Sequence, residues 1–138
     1  MQLAVVLGRR TLPISEISTK TAVLFLWVTN PKLQEGLYVL DKWGFTYRTN
    51  LVWMKDRIGT GYWARSKHEL LLIGTKGKMP CPVENSRPAS VIESKRRRHS
   101  EKPDEVYTII ERMYPTLKKI ELFAIKKRVG WQCWGKES

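Results

Sequence analysis

Three features of the chain predict an α/β domain built on a largely parallel sheet. Two continuous apolar runs lie within AVLFLWV (22–28) and ELLLIG (69–74), the pattern of strands covered on both faces. Next to them lie stretches whose apolar residues recur at helical spacing. The order strand–helix–strand then repeats, which favours parallel pairs joined by crossover helices. With 138 residues and 42% apolar content, residues 1–138 are expected to form a single domain.

Leu3 to Leu7 is a short apolar stretch closed by Gly8, Arg9 and Arg10, and 12–17 reads as a short helical turn. The run at 22–28 ends at Thr29-Asn30-Pro31, where Pro31 suits the first turn of a helix. Leu33, Leu37 and Leu40 carry that helix to Trp43, and Gly44 stops it. Phe45 to Met54 is rich in β-formers, and 69–74 is the second buried strand. Gly77, Pro80, Pro82 and Pro88 mark a loop, with Val91 and Ile92 as a brief strand after it. Pro103 opens a helix whose apolar face is Val106, Ile109, Ile110 and Met113, with Ser100 or Lys102 near its N-cap and Pro115 as its stop. Ile120 to Ala124 is the last clear strand, followed by a basic turn and the tail GWQCWGKES. Parallel sheets bind ligands beyond the carboxyl ends of their strands, which makes 29–31, 74–77 and 126–131 the expected site edges.

A net charge of +12, from 25 Lys and Arg against 13 Asp and Glu, favours a polyanionic partner, nucleic acid before an anionic membrane. Cys81 and Cys133 are too few for a metal site or a disulfide framework and suit a reducing, cytoplasmic setting. No apolar run approaches the roughly 20 residues of a membrane span. In MQLAVVLGRR the apolar stretch precedes the arginines, the reverse of a signal peptide. P-loop, GxGxxG, GxSxG and spaced metal ligands are all absent.

Three places could carry chemistry. Trp131 and Trp134 lie near Lys126, Lys127 and Arg128, where indoles either stack on a purine or close the core at a sheet edge. Lys95, Arg96, Arg97, Arg98 and Lys102, with His99 among them, either follow a phosphate backbone or form a solvated face. Glu69, beside His68 at the start of a buried strand, is either an acceptor in a site or a strand-entry residue.

Six strings, taken in order, resemble one family: LFLWVTNP (24–31), WGFTYRTNLVWMKD (43–56), GYWARSKHELLLIGTKG (61–77), RPASVIE (87–93), HSEKPDEVYTIIERMYP (99–115), and KKIELFA followed by GWQCWGKE (118–137). It is the adenine methyltransferase family that contains the catalytic subunit of the messenger-RNA adenosine methyltransferase and many bacterial and phage DNA adenine methyltransferases. The resemblance covers about 11–138 and implies a Rossmann-like fold that uses S-adenosylmethionine to methylate the 6-amino group of adenine. That family carries an Asp-Pro-Pro-Trp or Asn-Pro-Pro-aromatic tetrapeptide, which accepts hydrogen bonds from the amine and stacks on the adenine.

The tetrapeptide is absent here. Asp41, Asp56 and Asp104 are followed by Lys42, Arg57 and Glu105, and no two prolines are adjacent. The family's catalytic strand lies mid-sheet, so the resemblance implies a sheet with its central strand missing, unless Leu3 to Leu7 partly fills the gap. It further implies that Lys102 reaches the cofactor's carboxylate and that Glu121 lies where the cofactor cleft opens. Trp131, Lys136 and Glu137 would wall the cofactor's adenosine, and Glu69 would sit beside the target adenosine. Ile125 replaces an arginine of many relatives and Lys136 replaces an amide, which weakens the implied cofactor site. The expected function is an adenine-specific DNA methyltransferase by descent, inactive as this chain alone. The alternatives are a non-catalytic nucleic-acid-binding domain derived from that fold, or a relative acting on RNA. DNA is preferred to RNA because compact relatives of this kind are usually bacterial or phage DNA enzymes.

Overall fold

Apolar residues at both parities give AVLFLWV two buried faces, and it forms strand β2 (Ala22–Val28), buried at every position. The computed structural model describes residues 2–7, 21–95, 101–124 and 128–136. Within them β2 is joined by β1 (Gln2–Leu7), β3 (Thr46–Met54), β4 (His68–Lys76), β5 (Val91–Glu93), β6 (Lys118–Ala124) and β7 (Trp131–Lys136). They form one seven-stranded sheet in the order β5-β3-β4-β2-β1-β6-β7. Helix α1 (Leu33–Lys42), helix α2 (Glu105–Met113) and two 3-10 turns, Asn30–Lys32 and Glu84–Ser86, complete the described fold.

Alternate residues of β2 feed separate cores. Val23, Phe25 and Trp27 pack with Leu51, Trp53, Leu71 and Ile73 beneath Val106, Ile110 and Met113 of α2. Leu24, Leu26 and Val28 pack with Leu70, Leu72, Ile120 and Leu122 beneath Leu40 of α1 and Phe45. Each fully buried Leu, Ile or Phe contributes about 1.5–3 kcal/mol. Gly44 ends α1 at φ 88°, and the Phe45 N–H bonds the Leu40 carbonyl at 3.1 Å. Helix α2 begins with Asp104 at its N-cap, two residues later than Lys102, and Tyr114 leaves helical geometry before Pro115.

Three expectations are corrected. The sheet is mixed, because β4 pairs antiparallel with both β2 and β3 while the other four pairings are parallel. Running against its neighbours, β4 brings His68 and Glu69 to the carboxyl edge and carries 74–77 to the opposite one. The central position is filled: Gln2–Leu7 pairs parallel with β2 on one side and β6 on the other. The tail beyond Gly130 is also a strand, since β7 pairs parallel with β6 at the sheet edge. The turn expected at 12–17 lies outside the described residues. Among those residues no helix is long and apolar enough to cross a membrane.

Candidate active site

Strand directions decide which side chains meet at the carboxyl edge. In the β3–β4 pair Trp53 stands opposite Glu69, and β2 ends beside them with Trp27 and Val28. Because side chains alternate, Trp27, Trp53 and Glu69 share the face covered by α2. Glu69 is 8% exposed and carries an ammonium group on each oxygen. Lys102 Nζ lies 2.8 Å from Oε1 and Lys55 Nζ lies 2.6 Å from Oε2. The two indoles meet edge to face at 5.9 Å. Lys102 Nζ stands 5.3 Å from the Trp27 ring centre, and Lys55 Nζ 5.0 Å from that of Trp53. The Trp53 indole N–H donates to the Ser94 carbonyl at 2.8 Å.

Burial pushes the Glu69 carboxyl upward, but Lys102 and then Lys55 outweigh it and hold its pKa below the ordinary value. Glu69 is therefore an ionised acceptor in an apolar wall rather than a solvated strand-entry residue. Beside it, the Asn30 amide nitrogen lies 2.9 Å from His68 Nε2. An open cleft of about 570 Å³ adjoins Lys55 and is edged by Asp56, Glu93, Ser94, Lys95 and Glu105.

A second carboxylate cluster lies on β6 and α2. Glu121 is 4% exposed, and burial pushes its pKa upward while the Tyr107 hydroxyl pulls it back. That hydroxyl lies 2.8 and 2.7 Å from the two carboxylate oxygens. Trp131 meets the Tyr107 ring edge-on at 5.2 Å, and its indole N–H donates to Glu111 at 2.8 Å. Arg128 grips the same carboxylate with two bonds of 2.9 Å. Arg128 hydrogen bonding, helped by Trp131 and opposed by burial, depresses the Glu111 pKa to about 2. Trp131 is thus a core side chain whose indole N–H is already bonded.

Of the residues singled out from sequence, Glu69 and Lys102 are brought into direct contact, and Glu121 and Trp131 are linked through Tyr107. Lys95 edges the cleft. Lys136 belongs to β7 by its backbone. Arg96, Arg97, Arg98, His99 and Glu137 lie outside the described residues, as does Ile125. Sequence reasoning missed Trp27, Trp53 and Lys55 around Glu69, and Tyr107 and Glu111 around Trp131, although it had set Arg128 beside that indole. It also missed Tyr62 and Trp63, fully exposed on the 55–67 connection between Arg57 and Arg65. The signal for the first group was period-2 alternation, which puts Trp53 and Lys55 on one face. Among the described residues no group of three or more His, Cys, Asp or Glu could hold a metal ion.

The molecule belongs to the mixed α/β class, with Glu69 and its two lysines at the carboxyl edge of the sheet and the Glu111–Arg128–Trp131 group at the amino end of β7. Within that class the chain belongs to the MT-A70 family, whose model, described as MT-A70, matches residues 8–137. MT-A70 methyltransferases use S-adenosylmethionine as methyl donor. The chain is 37% identical over 127 residues to the type II methyltransferase M.MunI of Mycoplasma sp, covering 91% of this chain and 54% of that protein. It is 33% identical over 138 residues to the N(6)-adenosine-methyltransferase MT-A70-like protein of Arabidopsis thaliana, covering 93% and 20%. With the human N(6)-adenosine-methyltransferase catalytic subunit METTL3 it shares 38% identity over 108 residues, covering 72% and 18%. The chain thus spans about half the length of M.MunI and about a fifth of the other two.

Proposed function

We propose that residues 1–138 form one Rossmann-like methyltransferase domain that binds S-adenosylmethionine and an adenine of DNA, and that this chain alone does not complete methyl transfer. The observation that carries the proposal is Glu69, an ionised acceptor between two lysines and two indoles at the edge where β2, β3 and β4 meet. Such a carboxylate accepts an N–H from an exocyclic amine, and apolar rings around it exclude water.

The residues at hand fit the cofactor. Tyr107 supplies one proton to two Glu121 oxygens, so most of that carboxylate's lone pairs remain for the hydroxyls of a ribose. Lys102, just ahead of α2, suits a carboxylate. Lys136 and Glu137 would close the adenosine side, while Trp131, opposite Lys119 at the start of β7, would pack that strand against Tyr107. When bound, S-adenosylmethionine supplies an electrophilic methyl group. Lys95 and Arg96 to Arg98 would meet phosphates, and Tyr62 and Trp63 offer exposed rings for base stacking.

The missing tetrapeptide removes the groups that would hold the amine during transfer, so the purified chain should give no turnover with labelled cofactor on DNA or RNA. Incorporation above background on either substrate would overturn that expectation, and its preference would decide between them. The same absence favours a second reading, a nucleic-acid-binding domain without catalysis. Cofactor binding measured by calorimetry separates the two, because only the first requires it.

A further inference from the structure

Glu69 is gripped from two independent parts of the chain. Lys55 directly follows β3, and its backbone N–H bonds the Lys67 carbonyl at 2.8 Å, so its root is fixed where the β3–β4 pair begins to open. Lys102 comes from the segment ahead of α2 and approaches over both indoles, 5.3 Å from Trp27 and 6.0 Å from Trp53. Two cations therefore share one buried anion, with the carboxylates of Asp56, Glu93 and Glu105 further out around the adjoining cleft.

Under the cofactor assignment above, on which this inference rests, Lys102 has two claims on one ammonium: Glu69 and a ligand carboxylate. Leaving a buried carboxylate without a partner is costly, and the group would take up a proton instead. Lys55 removes that difficulty because it holds the other oxygen. The charged groups acting on Glu69 are these two lysines. Its strand neighbour His68 is engaged by Asn30, and β2 presents the Trp27 ring.

We propose that Lys55 is a positioning residue that keeps Glu69 in place and ionised while Lys102 turns from it to an anionic ligand. Glu69 Oε1 is then released as an acceptor when the anion binds. Occupation of the anion site and readiness for an amine N–H become one event, a coupling between two binding sites.

The first test needs no ligand. In Lys102→Met, the carbon-13 resonance of the Glu69 carboxyl should titrate below the ordinary carboxylate range, because Lys55 remains. In the Lys55→Met/Lys102→Met double variant it should titrate above that range, and Lys55→Arg should behave as wild type. Titration at or above the ordinary range in Lys102→Met itself overturns the proposal. The second test is calorimetry with S-adenosylhomocysteine near pH 6 in buffers of different ionisation enthalpy. Wild type should bind without proton uptake, whereas Lys55→Met should take up to one proton per ligand. Equal uptake in both overturns the proposal. In wild type, the ligand should also shift the Lys102 ammonium resonance and leave that of Lys55, and the reverse pattern is equally fatal. If S-adenosylhomocysteine does not bind wild type, the cofactor assignment fails, and the ligand-free titration still judges Lys55.

Discussion

Glu111 accepts three hydrogen bonds from two side chains, and its charge, not its shape, is what Arg128 and Trp131 recognise. Its carboxyl is depressed from 4.5 to about 2, so folding favours the ionised form. The resulting stability is fully present above the unfolded value and is lost as the pH falls through the folded one. The site is about one-third exposed, which limits the effect of Glu111→Gln to about 1–2 kcal/mol near neutral pH. Urea denaturation should show that gap closing as the pH falls from 4.5 towards 2. An undiminished gap at the acid end would mean that the amide's packing matters, not the charge. Sequence alone singled out Glu69, Lys102, Glu121 and Trp131, yet none of their immediate partners except the first pair. Glu111 and Arg128 are 17 residues apart and sit on separate elements, so no local spacing signals their contact.

Helix α1 lies against the sheet at a position where neither side has room for one more carbon. A Cβ on Gly36 would fall 2.5 Å from Val28 Cγ1, and one on Gly74 would fall 2.9 Å from Leu40 Cδ2. Gly36→Ala would gain up to about 1 kcal/mol of helix propensity, against about 1–3 kcal/mol of overpacking into a buried β-branched neighbour. The net expectation is a lower melting temperature for Gly36→Ala, with Val28→Ala relieving part of the added strain in the double variant. A melting temperature raised by Gly36→Ala would show that α1 shifts freely. The elements themselves were largely legible, because AVLFLWV, the Leu33–Leu37–Leu40 stripe and the Val106–Met113 face carry their periods openly. The direction of β4 was not, since an apolar run reads the same either way along a sheet. Its one trace is the 55–67 connection, which contains no crossover helix and so suits antiparallel neighbours. Strand β7 was passed over because an edge strand mixes buried Trp131 with exposed Gln132 and Cys133 and makes no apolar run.

Across the molecule, the surplus of positive charge acts together with a sheet edge that already holds Lys55, Lys95 and Lys102. The carboxylates of Asp56, Glu93 and Glu105 border the same cleft, so the edge is not uniformly basic. Long-range attraction must therefore draw on the wider excess, including Arg96, Arg97 and Arg98 in the 95–102 run. If these three arginines meet a phosphate backbone, each releases counterions, and each adds roughly 0.9 to the slope of log affinity against log salt on duplex DNA. Arg96→Ala, Arg97→Ala and Arg98→Ala combined should therefore flatten that slope by up to about 2.7. The loss of affinity should be similar on unrelated duplex sequences, since phosphate contacts carry no base information. Fluorescence anisotropy between roughly 50 and 200 mM salt, an interval over which several phosphate contacts cost orders of magnitude in affinity, gives the comparison directly. A slope identical to wild type would make the run a solvated face and turn the test to the Arg57–Arg65 connection with its exposed Tyr62 and Trp63.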